Sequence, residues 1–286
     1  MATIVKLVQG SPEWHAHRLA HRNASETPAV LGLSPYTTPL QLWQQRTGRA
    51  SVEVTAAMAH GTATEPQARV MYETLTGNVM QPLVLVEGEY SASLDGITLD
   101  GDLILEIKCP KSKDATLLKE ARAGRVPVHV YWQVQHQLMV SGAQLAHVYV
   151  YDGKLGHLIE QPAEPECWDT IRQGWETFVE HLRSDTPPAL TDRDTRPRDD
   201  PAWEKAATEY TAVKAVAEMA AEQLDAAKRR LVALTEHSSE QGFGVTVTRY
   251  LKAGAIDYKQ VPEIAGVDLE QYRGPAREEV RVTVAR

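Results

Sequence analysis

The sequence predicts an α/β fold, in which helices cover a small mixed sheet and a C-terminal extension adds a long helix and short strands. Three observations predict it. Up to about residue 151, the sequence contains both helix-start signals and short apolar runs typical of strands. A proline-rich charged segment follows between Ser184 and Pro201, and an apolar repeat of three and four residues starts at Trp203. Helices on a sheet bury the apolar face of each element.

Helix-start signals stand out in the first 80 residues. Ser11-Pro12-Glu13 combines a capping residue, a proline and an early acid, and Thr38-Pro39 repeats the first two. These residue types are favoured at the first positions of a helix. A third helix is predicted from about Thr62 to Leu75, ending at Gly77-Asn78, which suits a left-handed cap. Glu65 is expected in the first turn of that helix, where the helix dipole favours an acid.

Strands are predicted from about Val79 to Val86, on both sides of Asp100-Gly101, and from Ala146 to Tyr151, with a helix from Val128 to Val140 between them. Asp-Gly is a favoured pair for a two-residue hairpin turn, in which both central residues have positive φ. With these two residues as the loop, stepping along both arms places Asp95 opposite Glu106.

This hairpin predicts a metal site. Opposed side chains have Cβ atoms about 4.5–5.5 Å apart, and strand alternation puts Lys108 on the face of Glu106 while Ile107 points into the core. Two carboxylates so close favour a bound divalent cation, and oxygen ligands without Cys or His favour magnesium or manganese. The alternative is a surface hairpin whose charges are solvated.

Composition excludes several classes of protein. Two cysteines in 286 residues, Cys109 and Cys167, cannot build a disulfide framework or a four-cysteine iron–sulfur site. No apolar stretch approaches the roughly 20 residues that span a bilayer, and Met1 to Gln9 lacks the apolar run of a signal peptide, so we expect a cytoplasmic protein without membrane contact. The net charge of −8 argues against non-specific coating of nucleic acid. DNA contacts must then be local, for example in the basic clusters from His15 to Arg22 and from Lys108 to Arg125.

The chain is expected to contain a first domain at residues 1–190, a proline-rich linker at 191–201 and an extension at 202–286. The extension begins with an apolar seam at heptad-like spacing, which implies a helix of some 30 residues, about 45 Å long. Its members are Trp203, Ala206, Tyr210, Val213, Ala217, Ala220, Leu224, Ala227, Leu231 and Leu234. A coiled coil, an intramolecular hairpin and packing against the first domain all remain open. Strands are predicted at Gly242 to Tyr250 and Glu279 to Ala285, with a turn at Asp257 to Val261.

Five pieces of sequence occur in the order found in one known family. They are Trp14-His15 with Arg18 and Ser25, then Gly61 with Glu65, then Ser93-Leu94-Asp95-Gly96, then Glu106-Ile107-Lys108-Cys109-Pro110, and finally Gln133-Val134-Gln135. With these pieces, residues 10–185 resemble the YqaJ-type viral recombinase nucleases, which are related to bacteriophage lambda exonuclease within the PD-(D/E)XK superfamily. The region beyond residue 200 lies outside lambda exonuclease.

The resemblance implies a restriction-endonuclease-like core and a 5′ to 3′ exonuclease that digests one strand of double-stranded DNA. It also implies a homotrimeric ring around the DNA, a bacterial host, and a single-strand annealing protein that receives the product. Two Mg²⁺ ions, replaceable by Mn²⁺, are the implied cofactors. Cleavage without ends, by an endonuclease or nickase with the same site, is a second reading. A DNA-binding module in which the long helix recruits a partner is a third.

Residue roles follow from the same resemblance. Asp95, Glu106 and the Ile107 carbonyl would hold one magnesium ion, and Glu65 with Asp95 would hold the second. Lys108 would orient and deprotonate the attacking water. The positive charge of the nearby cations should lower the pKa of Lys108.

Gln133 is implied to help to position that water, although Gln135 and Gln137 are close in sequence. Arg18 and Ser25 match positions that hold a 5′-terminal phosphate, and Lys113 is a further implied DNA contact. Met58 stands where relatives present an apolar wedge between the separating strands, and a core methionine is an equal alternative.

Overall fold

The computed structural model of the chain describes residues 2–7, 10–51, 54–111 and 116–252, together with 254, 267, 272, 274 and 275. The chain divides into two compact units, Met1–Arg196 and Pro197–Arg286. The division falls inside the proline-rich segment that the sequence marks at 191–201. Among the described residues, no helix has the length and apolar character needed to cross a bilayer.

Unit 1 is built on a mixed sheet of seven strands within the described residues. In spatial order these are β1 (Thr3–Val5), β3 (Gln81–Glu87), β4 (Tyr90–Ile97), β5 (Leu103–Lys108), β6 (Leu145–Tyr151) and β7 (Gly156–Pro162), while β2 (Arg22–Asn23) pairs with β4. Strand β5 runs parallel to β6, and β2 runs parallel to β4, whereas the other neighbours are antiparallel. The predicted mixed sheet is confirmed.

Helices cover both faces of this sheet. In unit 1 they are α1 (Pro12–Ala20), α2 (Thr27–Val30), α3 (Pro39–Arg46), α4 (Ala56–Thr76), α5 (Thr116–Arg122), α6 (Val128–Ser141) and α7 (Trp168–Arg183). Ile104 of β5 belongs to the larger core cluster, which contains Val134 and Leu138 of α6. Leu105 and Tyr72, from β5 and α4, belong to a second cluster. Strand β5 is therefore buried on both sides, which rules out a solvated surface hairpin.

Capping explains where the first helices begin. The Ser11 hydroxyl accepts a hydrogen bond from the Trp14 amide, and Thr38 forms a capping box with Gln41. The third predicted helix ends at Gly77 as expected, but α4 begins at Ala56, six residues before the predicted start. Gly61, which weakens a helix interior, lies directly before the predicted start and concealed the first two turns.

The turn between β4 and β5 differs from the prediction, although the register is correct. Four residues, Leu99 to Asp102, form the loop, which is closed by hydrogen bonds from the Thr98 amide to the Leu103 carbonyl and from the Gly101 amide to the Thr98 carbonyl. Only Gly101 has positive φ there, at 75°. Adding one loop residue on each side leaves the pairing unchanged, so Gly96 pairs with Leu105 as the two-residue loop also required.

Unit 2 begins with the predicted long helix, α8 (Pro201–Ala233), capped by Asp200. A hairpin of β8 (Ser239–Gly242) and β9 (Val245–Thr248) follows. The predicted strand from Gly242 to Tyr250 is wrong in its first part, because Phe243 and Gly244 have positive φ and form a two-residue turn. The predicted strand at Glu279 to Ala285 and the turn at Asp257 to Val261 lie outside the described residues.

Candidate active site

Asp95 lies where the β4–β5 ladder breaks. The last paired residues along the ladder are Gly96 and Leu105, and beyond them the Asp95 carboxylate accepts a hydrogen bond from the Ile107 amide at 2.7 Å. A regular ladder would join that amide to Leu94, so the side chain replaces a backbone partner. The amide and carbonyl of one residue point to the same side of a strand. The Ile107 carbonyl therefore faces the gap that Asp95 occupies.

Glu106 is buried and held by three side chains. Its Oε1 contacts Lys108 Nζ at 2.6 Å and accepts a hydrogen bond from Gln133 at 2.8 Å, while Oε2 accepts one from Gln137 at 2.6 Å. Gln133 also accepts a hydrogen bond from Lys108 at 3.1 Å. Gln135 is bonded elsewhere, to Pro162 and Glu164. Helix α6 thus presents a pair of glutamines to Glu106, of which Gln137 was not among the residues assigned from sequence.

Glu65 lies in the middle of α4, so its expected place in a first helical turn is wrong. A helix that begins at Ala56 leaves the N-terminal dipole too far away to act on it. Glu65 is half-buried and pairs with Arg69 one turn later, at 2.7 Å. Burial raises the pKa of Glu65, and the charge of Glu106 adds to this rise, although Arg69 opposes it.

The acids of this site disfavour one another's charge. Burial raises the pKa of Asp95 well above its usual value, and the charges of Glu106 and Glu65 raise it further. Burial acts to lower the pKa of Lys108, but the charge and the hydrogen bond of Glu106 outweigh it, and this pKa is raised. The side chains by themselves therefore raise the pKa of Lys108, whereas the sequence led us to expect it to be lowered. That expectation included the charge of bound cations but not the contact with Glu106.

These residues fit a hard cation by their chemistry. Carboxylate and carbonyl oxygens are the ligands that Mg²⁺ prefers, and the raised pKa of Asp95 shows negative charge that a cation would neutralise. Across the described part of the chain, no three His, Cys, Asp or Glu side chains already form a metal cage. Both Glu106 oxygens bond to neighbouring side chains, so binding a cation there requires Glu106 to exchange at least one of these contacts.

Arg18 and Ser25 form a second polar group. The Arg18 guanidinium donates to Ser25 Oγ at 3.1 Å and to Glu26 at 2.8 Å. Glu26 also accepts hydrogen bonds from Arg46, which in turn donates to the Arg18 carbonyl. The sequence did not point to Glu26 or Arg46, since neither carries a local signal. Arg22, in the basic cluster noted from sequence, is buried and pairs with Glu89 and Glu176, so it is not available to DNA.

One cavity of about 720 Å³ joins these groups. Its lining includes the assigned residues Arg18, Ser25, Met58, Glu65, Asp95, Glu106, Ile107, Lys108 and Gln133. Met58 is 49% exposed, which excludes the alternative of a core methionine. Lys113 lies outside the described residues. Trp14 and Tyr36 line the cavity too, and Tyr36 was not singled out from sequence.

The first half of the chain is similar to a known family. Residues 13–144 match the model of the YqaJ-like viral recombinase domain. The uncharacterized protein YqaJ of Bacillus subtilis (strain 168) is 28% identical over 144 residues, which cover 48% of this chain and 44% of that protein. The chain therefore spans less than half the length of this curated relative.

Solved structures show the same fold. The crystal structure of an alkaline exonuclease (LHK-Exo) from Laribacter hongkongensis matches at 25% identity with a TM-score of 0.52, covering 62% of this chain and 94% of that one. The structure of LHK-Exo in complex with dAMP matches with a TM-score of 0.53 at the same identity and coverage. The resemblance to YqaJ-type recombinases and the mixed-sheet fold flanked by helices are thus confirmed.

Proposed function

We propose that this protein is a Mg²⁺-dependent 5′ to 3′ exonuclease that digests one strand of double-stranded DNA. It leaves 3′ single-stranded overhangs for recombination by strand annealing in a bacterial cytoplasm. The similarity to the YqaJ-like domain and to an alkaline exonuclease supports a nuclease. The direction, the metal and the recombination role are part of the proposal.

One observation supports it above the others. The acids with Lys108, which suit phosphodiester hydrolysis, share a single cavity with the pair of Arg18 and Ser25, which suits a terminal phosphate. A phosphate monoester carries more charge than an internal diester, and an arginine fork with a hydroxyl matches its oxygens. A DNA strand bound by its 5′-phosphate at Arg18 extends toward Asp95 and Glu106.

The cations would be held by the carboxylate oxygens of Asp95, Glu106 and Glu65 and by the carbonyl oxygen of Ile107. When bound, two cations stabilise the attacking and leaving oxygens of an in-line displacement. Lys108 orients the attacking water, and Gln133 fixes the position of the lysine by accepting its hydrogen bond. Because its contact with Glu106 keeps Lys108 charged, acting as a base requires Lys108 to give up that contact first.

The test uses a linear duplex with one 5′-phosphorylated end and one blocked end, digested with Mg²⁺ beside a closed circular plasmid. We expect loss of the phosphorylated strand from its 5′ end while the plasmid stays intact, since an exonuclease needs an end. Cleavage of the circle would establish an endonuclease instead. Absence of cleavage on both substrates, with DNA still bound, would favour a binding module.

Arg18→Ala tests the proposed pocket for the 5′-phosphate. We expect the preference for 5′-phosphate over 5′-hydroxyl ends to fall about 10- to 100-fold, the usual effect of losing charge-assisted hydrogen bonds. Arg172→Ala is the matched control, because Arg172 is a half-exposed arginine of α7 outside the cavity lining. An unchanged preference in Arg18→Ala contradicts the assignment of the phosphate pocket.

The proposal extends to assembly. By resemblance, three copies form a ring around the DNA, so the mass in solution should be about three times the 31.7 kDa of one chain. The single strand left by digestion is the substrate of an annealing protein. We assign recruitment of that protein to α8, whose apolar side chains, such as Val213 and Leu224, are exposed.

A further inference from the structure

We propose that Tyr36 is a stacking platform for a nucleobase next to the scissile phosphate, held in place by Arg193 and Asp194. This inference rests on the proposed nuclease function and adds a stacking contact with one base to the phosphate and metal contacts proposed above. It begins from an exposed aromatic ring. Tyr36 is 74% exposed, yet it lines the cavity that contains Asp95, Glu106 and Lys108.

Among the described residues, one aromatic ring packs against Tyr36. The His129 ring meets it at 89° with 5.6 Å between the ring centroids, an edge-to-face contact. Much of the Tyr36 surface therefore stays open to the cavity. Every base offers a flat π-face, and stacking on an exposed aromatic ring is a common way in which proteins hold single-stranded nucleic acid without reading its sequence.

The loop that carries Tyr36 is fixed by unusual means. Arg193 donates to the Ser34 carbonyl at 2.5 Å and to the Pro35 carbonyl at 2.7 Å. Thr38, at the other end of the loop, donates to Asp194 at 2.5 Å. The loop is thus hydrogen-bonded at both ends to a segment more than 150 residues later in the chain.

Local bonds complete this support. Ser34 Oγ accepts hydrogen bonds from the amides of Tyr36 and Thr37, both at 3.2 Å. Asp194 is itself oriented by the amide and the hydroxyl of Thr191. A loop held at both ends loses little further freedom on binding, so it presents a ready-made surface. An exposed tyrosine on such a loop, at the edge of a reaction cavity, is placed to receive a flat ligand.

The cavity specifies which flat ligand. Its polar residues suit a terminal phosphate at Arg18 and a reacting phosphate at Asp95, so the nucleotides on either side of the reacting phosphate must lie in the same space. The two bases concerned belong to the first and second nucleotides of the digested strand.

The test compares Tyr36→Ala with Tyr36→Phe on three duplexes with 5′-phosphorylated ends. The first duplex has all its bases, the second has an abasic site at the first nucleotide, and the third has an abasic site at the second nucleotide. We expect Tyr36→Ala to lower kcat/KM about tenfold on the duplex with all its bases, because base–aromatic stacking is commonly of that size. Tyr36→Phe keeps the flat ring and should lose less activity than Tyr36→Ala. On one of the two abasic duplexes, wild type and Tyr36→Ala should be equal.

Arg193→Ala should reproduce this dependence on the base, since it acts through the Tyr36 loop and a merely structural defect would not disappear on an abasic substrate. Leu155→Ala, which removes a side chain that is 66% exposed and outside the cavity lining, serves as the control for loss of surface area. Thermal unfolding establishes that each variant is folded.

The outcomes separate the two proposals. The stacking role is overturned if Tyr36→Ala lowers kcat/KM on both abasic duplexes as well, or if it does not lower kcat/KM on the duplex with all its bases. Either result leaves the exonuclease in place. A folded wild-type protein that digests none of the duplexes overturns the proposed function and the Tyr36 assignment with it.

Discussion

Burial of Asp95, together with the charges of its acidic neighbours, should lower the stability of the metal-free fold as the pH rises. A carboxyl group whose pKa is higher in the folded state than in the unfolded chain binds its proton more tightly when folded. The stability gained this way is complete at pH values below the unfolded pKa of about 4 and is lost as the pH rises through the folded pKa. This site therefore loses stability as the pH rises from about 4 through the folded pKa of Asp95, and a bound cation would reduce that loss.

Asp95→Asn tests this argument. The amide keeps an oxygen for the Ile107 amide and removes the charge, so in EDTA at neutral pH the Tm should rise by about 2–4 °C, which corresponds to about 1 kcal/mol in a protein of this size. Mg²⁺ at ten times its Kd should stabilise the wild type by about 1.4 kcal/mol but leave the variant unchanged. DNA digestion should be abolished. Tm is measured by thermal unfolding in EDTA and in Mg²⁺.

Asp169→Asn is the control, because it removes the charge of an exposed aspartate in α7. Asp169→Asn keeps the metal site, so its Tm should rise with Mg²⁺ as that of the wild type does, whereas the Tm of Asp95→Asn should not. A lower Tm for Asp95→Asn in EDTA contradicts the view that acid crowding destabilises the metal-free fold.

At the residue scale, the sequence predicted what depends on strand alternation. The register that sets Asp95 against Glu106 came from a two-residue turn that does not exist, yet the four-residue loop preserves it because both arms lengthen equally. Tyr36 and Glu26 could not be found in this way. Their significance comes from contacts with residues distant in the chain, and no local pattern records such contacts.

At the scale of elements, two glycines of the recognised sequence pieces should respond oppositely to alanine. A Cβ at Gly96 in β4 would lie 2.5 Å from the Met80 Cβ, a distance that only a backbone shift can relieve. Gly61 in α4 has open space within 4 Å. We expect Gly96→Ala to lower the free energy of unfolding by about 1–3 kcal/mol through overpacking. Gly61→Ala should raise it by about 0.5–1 kcal/mol, since glycine weakens a helix interior.

Denaturant unfolding of both variants under one set of conditions measures the two changes, and each serves as the control for the other. Equal effects of the same sign would mean that backbone entropy alone governs both sites. If Gly61→Ala is more stable than the wild type but no longer digests DNA, the added methyl group must obstruct DNA, which would show that DNA passes close to this turn of α4.

Elements with local signals were predictable, and elements defined by distant partners were not. Caps at Ser11 and Thr38 predicted the starts of α1 and α3, because a cap is a contact between residues three apart. The two-residue strand β2 exists only by pairing with β4, so nothing in its own sequence announces it. Helix α7 carries a usable signal in the spacing of Ile171, Trp175 and Phe178, all buried, which the sequence-based prediction left out.

For the whole molecule, the core clusters of unit 1 lie earlier in the chain than the contacts that hold the Tyr36 loop. Among the described residues, the larger core cluster of unit 1, with the side chains packed against it, ends at Leu182, and the second cluster ends at Tyr151. The contacts that hold the Tyr36 loop lie later, at Thr191, Arg193 and Asp194. A chain cut after Arg196 keeps the core clusters and the loop contacts, whereas a chain cut after Ser184 keeps the core clusters but loses the loop contacts and the buried Pro188.

We therefore expect the two truncated proteins to differ in activity more than in folding. Both should unfold cooperatively, but only the protein of residues 1–196 should keep the kcat/KM of the full chain on linear duplex. The protein of residues 1–184 should lose about as much as Tyr36→Ala, because its loop at residues 34–38 is no longer tied down. Steady-state digestion with thermal unfolding of all three chains measures this. Equal activity of both truncations would show that the loop positions itself without Arg193 and Asp194, and inactivity of both folded truncations would assign unit 2 a direct part in cleavage.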